Sequence, residues 1–203
     1  DAWVAKLLAA SRSAKREVIE VGKLAGRRDG DNPHVWYDVR AATLLVETLT
    51  QRLTTLDPTH KEAYAARAAT VQRDLKALAA RIDGLRKQHG GTPVTATEPV
   101  FGYMSDALGL TMRNLRFQLA QMNDTEPTAS DIAAFEADLR GRKVRVLFNN
   151  TQTSEGLTTR LLGIAKASGV AVVGVTETMP QGASYVGWMN AQLDTLEQAL
   201  ARK

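Results

Sequence analysis

A long amphipathic pattern between Asp57 and Gly91 constrains the fold more than any other feature of this sequence. Apolar residues recur there at alternating intervals of four and three, with charged and polar residues between them: Tyr64, Ala68, Val71, Leu75, Leu78, Ile82 and Leu85. This spacing is typical of one face of an α-helix. Asp57-Pro58 supplies a cap and a first-turn proline, and Gly90-Gly91 ends the pattern. We predict one helix of about thirty residues, roughly 45 Å long. It packs along a domain or between two domains, and a coiled-coil arm is the alternative.

The segment before this helix has weaker patterns. Residues 1–10 are expected to form the end of a helix, and the alternation in Glu17–Val21 suggests a short strand. Helical spacing returns from Asp38 to Leu56, with Asp38 as the N-cap.

After Gly91 the pattern changes to alternating strands and helices. We predict strands at 94–97, 144–148 and 170–175, an extended segment at 111–120, and helices at 100–108, 130–140, 154–168 and 184–201. Thr128 or Ser130 caps the second of these helices. Such alternation predicts a parallel sheet with helical crossovers, and therefore an α/β fold.

Polar residues follow three of these strands. Glu98, the segment Asn149-Asn150-Thr151 and Glu177 each come at or just after a strand end. Ligands of open α/β sheets bind beyond the carboxyl ends of the strands. We therefore expect two carboxylates and an amide cluster to converge at one edge of the sheet.

Length, composition and charge limit the classes of function. The 203 residues suffice for one large domain, or for one domain and part of another. There is no cysteine, so any metal must be bound by imidazole and oxygen. The net charge of +4 is scattered along the chain, which does not favour nucleic-acid binding. No apolar run approaches the length of a membrane span, and no signal peptide is visible. Because the chain starts at Asp1 inside an amphipathic pattern, we expect a processed or truncated product.

Two short segments carry the best candidate ligands. His34 lies in Asn32-Pro33-His34-Val35-Trp36-Tyr37-Asp38, and Glu98 lies in Thr97-Glu98-Pro99-Val100-Phe101-Gly102-Tyr103. Each places one Lewis base where an irregular or extended stretch meets a helix. The structural alternatives are a packing role for His34, an N-cap role for Glu98, and an exposed loop position for Glu177. His60 and His89 are expected to be exposed to solvent.

The order of these motifs resembles one family over nearly the whole chain. The motifs are Asn-Pro-His-Val-Trp, Asp57-Pro58 with Tyr64, the long helix, Glu98-x-x-Phe101-x-Tyr103, Glu126-Pro127-Thr128, and Ser184-Tyr185 with Met189. Together they resemble the zinc- and manganese-binding substrate-binding proteins of bacterial ABC transporters. The resemblance implies two α/β lobes with parallel sheets, joined by one long rigid helix, with a metal ion between them. Residues 1–56 would belong to the N-terminal lobe, 57–90 to the connecting helix and 91–203 to the C-terminal lobe.

The resemblance also implies a set of metal ligands. His34 matches the histidine of the first lobe, and Glu98 matches a ligand that is histidine in zinc-type members and glutamate in manganese-type members. Glu177 stands where the family usually has aspartate, one methylene shorter. A further histidine has no counterpart in residues 1–31, so we expect it upstream of Asp1. This chain should then bind metal weakly by itself. Oxygen ligands shift the preference from zinc towards manganese or ferrous iron.

The implied function is capture of a divalent metal, manganese or zinc, as cargo for a membrane permease. The protein would be periplasmic or otherwise extracytoplasmic and membrane-associated, with a lipid anchor upstream as one form. It would be a binding protein and not an enzyme. One alternative is a metal-independent adhesin-like or interaction protein of the same fold. Another is a hydrolase with Glu98 and Glu177 as an acid/base pair, disfavoured because no nucleophile, oxyanion loop or phosphate-binding glycine motif accompanies them.

Overall fold

The computed structural model describes residues 2–11, 13, 16–153 and 156–201. Within them the helices are α1 Ala2–Ala10, α2 Val21–Leu24, α3 Val39–Leu56, α4 Lys61–His89, α5 Gly102–Ala107, α6 Leu115–Met122, α7 Ala129–Arg140, α8 Gly156–Ser168 and α9 Tyr185–Ala201. The strands are β1 Pro93–Ala96, β2 Thr111–Met112, β3 Val146–Asn150 and β4 Ala171–Val175. Short 3₁₀ helices span Val35–Tyr37, Pro58–His60 and Pro99–Phe101.

The four strands form one parallel sheet in the order β2-β1-β3-β4. Helices cover both of its faces, which confirms the predicted α/β class. The register places Ala96 of β1 opposite Phe148 of β3, and Phe148 opposite Val173 of β4. The strands therefore end close together at the carboxyl edge. All described residues before Pro93 are helical or irregular, so this sheet belongs to the second half of the chain.

Alternate residues of the central strand β3 enter two separate cores. Val146 and Phe148 pack with residues of α4, α5 and α9, whereas Leu147 packs with residues of α6, α7 and α8. This period of two is what a strand buried on both faces requires. A sheet held between two helical layers fixes the positions of the strand ends.

The long helix predicted from the apolar pattern is confirmed as α4. It follows the 3₁₀ turn at Pro58–His60 and ends before Gly91, whose φ of +82° suits glycine. Its second half buries Leu75, Leu78, Ile82 and Leu85. Its first half is more open, and Val71 remains 42% exposed. Helix α4 packs against α3 and α9, so it lies along the domain and is not a free coiled-coil arm. The lobe boundaries at 56 and 90 stay a prediction.

Two predicted capping residues are confirmed. The Asp38 carboxylate accepts a hydrogen bond from the backbone N–H of Arg40 at the start of α3. The Thr128 hydroxyl accepts from the backbone N–H of Asp131 at the start of α7. None of the helices within the described residues has both the length and the apolar composition to cross a bilayer.

Two predicted elements are wrong. Glu17–Val21 forms no strand: residues 16–20 are irregular and Val21 begins the short helix α2. An alternating pattern needs a neighbouring strand to complete its hydrogen bonds, and no described residue pairs with this segment. The extended segment predicted at 111–120 ends at Met112. Asn114 adopts a left-handed conformation with φ of 58°, and the chain turns there into α6. The expected helix start at 154 lies outside the described residues.

Two residues on the apolar stripe of α4 test how much each half of the helix contributes. Leu78 is 1% exposed and Val71 is 42% exposed. We expect Leu78→Ala to lower the free energy of unfolding by about 2–5 kcal/mol, because the truncation leaves a cavity in the core. Val71→Ala should lower it by less than about 1 kcal/mol. Urea unfolding of both variants measures the difference, and equal losses would contradict the assignment of the buried half.

Candidate metal centre

Three polar side chains meet at the carboxyl edge of the sheet, as predicted. Glu98 follows β1, Asn150 ends β3 and Glu177 follows β4. The Asn150 amide nitrogen Nδ2 donates to Glu98 Oε2 at 3.2 Å and to Glu177 Oε1 at 2.9 Å. In the order β2-β1-β3-β4, the chain adds β2 on one side of β1 and then β3 and β4 on the other side. The point where the order reverses lies between β1 and β3. Ligands of doubly wound sheets bind at such a switch point.

The His34 imidazole faces these carboxylates from the first part of the chain. His34 is 6% exposed and directly precedes the 3₁₀ helix Val35–Tyr37. Its Nε2 lies 3.7 Å from Glu177 Oε1. The His34 ring also meets the Trp36 ring edge to face, with centroids 5.3 Å apart. The structure thus brings all three residues predicted from the sequence, His34, Glu98 and Glu177, to one place.

Asn32 determines which imidazole nitrogen of His34 is available. Asn32 Oδ1 accepts the backbone N–H of His34 at 3.1 Å and lies 2.5 Å from His34 Nδ1. Because Oδ1 is only an acceptor, Nδ1 must carry the hydrogen. The neutral ring then has its lone pair on Nε2, the atom that faces Glu177. An outer partner that orients a histidine ligand in this way is typical of metal sites.

The same Asn32 side chain joins the two predicted ligand segments. Its Nδ2 donates to the Pro99 carbonyl at 2.6 Å, next to Glu98. This approach requires Gly102, because a Cβ there would lie 2.8 Å from Asn32 Nδ2. One amide therefore orients the imidazole of His34 and also fixes the distance between its loop and Glu98.

Three tyrosines attach residues 32–37, here called the His34 loop, to the second half of the chain. Each phenol takes part in one hydrogen bond of 2.7 Å to a backbone carbonyl: Tyr103 to Asn32, Tyr185 to Trp36, and Tyr37 to Thr176. Burial raises the pKa of Tyr37 to about 12 and also raises the pKa of Tyr185. These phenols stay protonated and donate at any physiological pH.

The surroundings of the His34 imidazole favour its neutral form. Burial lowers its pKa, and the charges of Glu177 and Glu98 oppose this effect without overcoming it. Only the neutral ring can bind a metal ion. The site therefore holds its imidazole in the binding-competent form near neutral pH.

The geometry fits an ion between the imidazole and the carboxylates after a small adjustment. Two donors on one ion at about 2.1 Å lie roughly 3.0–3.5 Å apart, whereas His34 Nε2 and Glu177 Oε1 lie 3.7 Å apart. The amide of Asn150 occupies the space between the carboxylates. Among the described residues, no three histidine, aspartate or glutamate side chains already converge tightly enough to hold an ion. Metal entry requires the carboxylates to turn towards His34.

The structural alternatives for Glu98 and Glu177 are decided by the surroundings of each residue. Glu98 makes no side-chain cap for the helix that follows it, so the N-cap alternative is wrong. The Glu177 side chain is 38% exposed and is tied to Asn150, so it is not a free loop carboxylate. His60 is exposed as expected and pairs with Asp57 at 2.7 Å. The expectation that His89 is exposed is wrong: it is half-buried, because it lies beside apolar side chains such as Leu85 and Leu108.

Sequence analysis gave no role to two residues that contact the candidate ligands. Asn32 forms a turn through its side chain, which the pattern Asn-Pro-His could have indicated because asparagine often bonds to a backbone N–H two positions later. The Thr153 hydroxyl donates to Glu98 Oε1 at 2.6 Å. No local pattern marks Thr153, because its partner is distant in sequence.

Comparison with known proteins identifies the family. The sequence model described as "Zinc-uptake complex component A periplasmic" (ZnuA) matches residues 1–199. The chain belongs to the ZnuA family. This is a family of solute-binding proteins and not of enzymes. The hydrolase alternative for Glu98 and Glu177 is therefore wrong.

Relatives of the ZnuA family match most of the chain. The "metal ABC transporter substrate-binding lipoprotein SloC" of Streptococcus mutans is 24% identical over 225 residues, which cover 100% of this chain and 70% of SloC. The "zinc-binding protein TroA" of Treponema pallidum is 26% identical over 204 residues, which cover 93% of this chain and 64% of TroA. This chain thus spans about two thirds of the length of these ZnuA-family relatives.

Solved structures show the same fold. The structure of TroA has a TM-score of 0.74 at 24% identity, covering 98% of this chain and 75% of that one. FpvC of Pseudomonas aeruginosa, solved in complex with Mn2+, has a TM-score of 0.75 at 22% identity, with 98% and 75% covered. At these identities the likeness establishes the ZnuA-type fold alone.

The buried imidazole predicts a pH dependence of stability. The pKa of His34 is lower in the folded protein than in the unfolded chain, so the unfolded chain binds its proton first. The stabilisation that this group contributes is fully present above the pKa of histidine in the unfolded chain, about 6.5. It is lost as the pH falls from there towards the folded pKa. We expect His34→Gln to flatten this part of the curve in metal-free protein, measured by urea unfolding between about pH 7 and pH 5.

A direct NMR titration of the imidazole carbons provides the control. The His34 resonances should report a pKa below 6.5. A midpoint above that value, or an unchanged slope in His34→Gln, would show that burial does not control this group.

Proposed function

We propose that this protein captures a divalent transition metal ion with His34, Glu98 and Glu177 and delivers it as cargo to a membrane permease. The observation that supports this most is the shared amide of Asn150. It holds the two carboxylates together opposite the Nε2 face of a neutral, oriented imidazole.

The donor set favours manganese or zinc over calcium or magnesium. An imidazole donor suits transition metals, whereas magnesium and calcium prefer oxygen ligands alone. Two carboxylates move the preference towards manganese relative to a site richer in histidine. Zinc still binds more tightly in intrinsic affinity, according to the Irving–Williams order. The metal taken up in the cell would then depend on availability as well as on the site.

The proposed place of action is outside the cytoplasm. The matched family is described as periplasmic, and SloC is named a lipoprotein. By analogy we propose a periplasmic or lipid-anchored receptor that is peripheral to the membrane. One structural relative, Lmb of Streptococcus agalactiae, is described as having both adhesin and metal-transporting activity. A metal-independent interaction role is therefore the alternative that a negative metal experiment would favour.

The site also suggests how cargo is released. Protons compete with the metal ion for the imidazole of His34 and for both carboxylates. Binding should weaken as the pH falls, because each ligand must be deprotonated to bind. Once the ion leaves, the carboxylates can accept hydrogen bonds from Asn150 and Thr153.

Metal titration of the full-length protein tests the proposal. Saturating Mn²⁺ or Zn²⁺ should raise Tm, and a metal concentration of 100 times Kd should stabilise the fold by about 2.7 kcal/mol. The variants His34→Gln, Glu98→Gln and Glu177→Gln should each lose most of this increase. Isothermal titration calorimetry with each metal would then give the preference.

The control for these variants is Glu62→Gln. Glu62 is an exposed carboxylate on the first turn of α4, far along the chain from the site. It should keep the full metal-dependent increase in Tm. If neither metal stabilises the protein, or if Glu62→Gln loses as much as Glu98→Gln, the receptor proposal fails.

A further inference from the structure

Asn150 has a geometry that ordinary strand residues lack. It is 1% exposed, and its amide contacts groups from three different segments. Nδ2 donates to Glu98 Oε2 and Glu177 Oε1, while Oδ1 accepts the backbone N–H of Gln152 at 3.0 Å. All of its side-chain hydrogen-bonding groups are thus used at the candidate site.

The orientation of this amide is determined by its partners. The backbone N–H of Gln152 can only donate, so the atom facing it must be the amide oxygen. The amide nitrogen therefore faces the carboxylates, and each of its two hydrogens serves one of them. The Asn150 backbone N–H donates to Thr97 Oγ1 at 3.3 Å, which further fixes the end of β3.

The sheet explains why this position bridges the carboxylates. β3 lies between β1 and β4, so the ends of β1 and β4 are separated by two strand spacings, roughly 10 Å. Glu98 and Glu177 must lean inward over β3 to approach each other. Two carboxylates brought together repel each other, and the partial positive charge of an amide NH₂ group offsets this repulsion.

We propose that Asn150 is a positioning residue that holds Glu98 and Glu177 together in the metal-free protein by standing in for the cation. This inference rests on the proposed metal function, but the metal-free protein tests it separately. The amide keeps the carboxylates near His34 without adding charge. When an ion arrives, the cation takes over the neutralising role and the amide hydrogens become secondary contacts.

Asn150→Asp is the sharpest test, because it retains the shape and the acceptor for Gln152 while replacing the donor with an anionic oxygen. In metal-free protein at pH 7, Tm should fall by about 5 °C or more. With saturating Mn²⁺ the loss should shrink, because the ion neutralises the added charge. The metal-dependent increase in Tm should thus exceed that of the wild type, and apparent affinity should rise about tenfold or more.

Asn123→Asp is the matched control. It adds the same charge at an exposed position next to the end of α6. Its metal-free Tm should stay close to that of the wild type, and its metal-dependent increase should equal that of the wild type. A third variant, Asn150→Ala, removes both donors without adding charge and should lower Tm without any gain in apparent affinity.

The outcomes separate the two proposals. If Asn150→Asp has the same metal-free Tm as Asn123→Asp, or a metal-dependent increase no larger than that of the wild type, the positioning role is overturned. If the wild type gains no stability from Mn²⁺ or Zn²⁺, the metal function fails. The metal-free comparison of the two Asp variants would still decide whether the amide holds the carboxylates together.

Discussion

The parallel register of β1, β3 and β4 is the constraint on which the candidate site depends. It ends three strands at one edge, with Asn150 on the middle strand and a carboxylate just beyond each of its neighbours. Two buried cores, one on each face of the sheet, hold this register. A slip of one residue in β3 would turn Asn150 to the opposite face and separate Glu98 from Glu177.

The imidazole reaches this edge by a different route. His34 lies far from the sheet in sequence, and its loop is held by tyrosine hydroxyls and by Asn32, all directed at backbone carbonyls. Backbone carbonyls do not change with protonation, so these contacts persist over the physiological pH range. The position of His34 is thus independent of the charge of the site, while its protonation is not.

The sequence allowed the fold class, α4 and the meeting of the strand-end carboxylates to be predicted, because each follows from a local pattern. Periodicity gave α4, and the rule for parallel sheets placed Glu98 and Glu177 together. Prediction from the local pattern failed for Glu17–Val21 and beyond Met112, where tertiary partners and the left-handed Asn114 decide the conformation. The roles of Asn32 and Thr153 were also missed, since their partners are set by the folded chain and not by spacing.

The charges at the site support the proposal that a divalent ion is the cargo. With Glu98 and Glu177 ionised and His34 neutral, the candidate ligands carry two negative charges, and the nearby Asn150 amide adds none. A dication cancels them, whereas a monovalent ion leaves one charge in a partly buried site, which is costly. Burial lowers the pKa of His34 and so disfavours a positive charge on the imidazole, which maintains this balance. Asn32 therefore orients the imidazole, and burial of the ring limits the charge that the ligands carry.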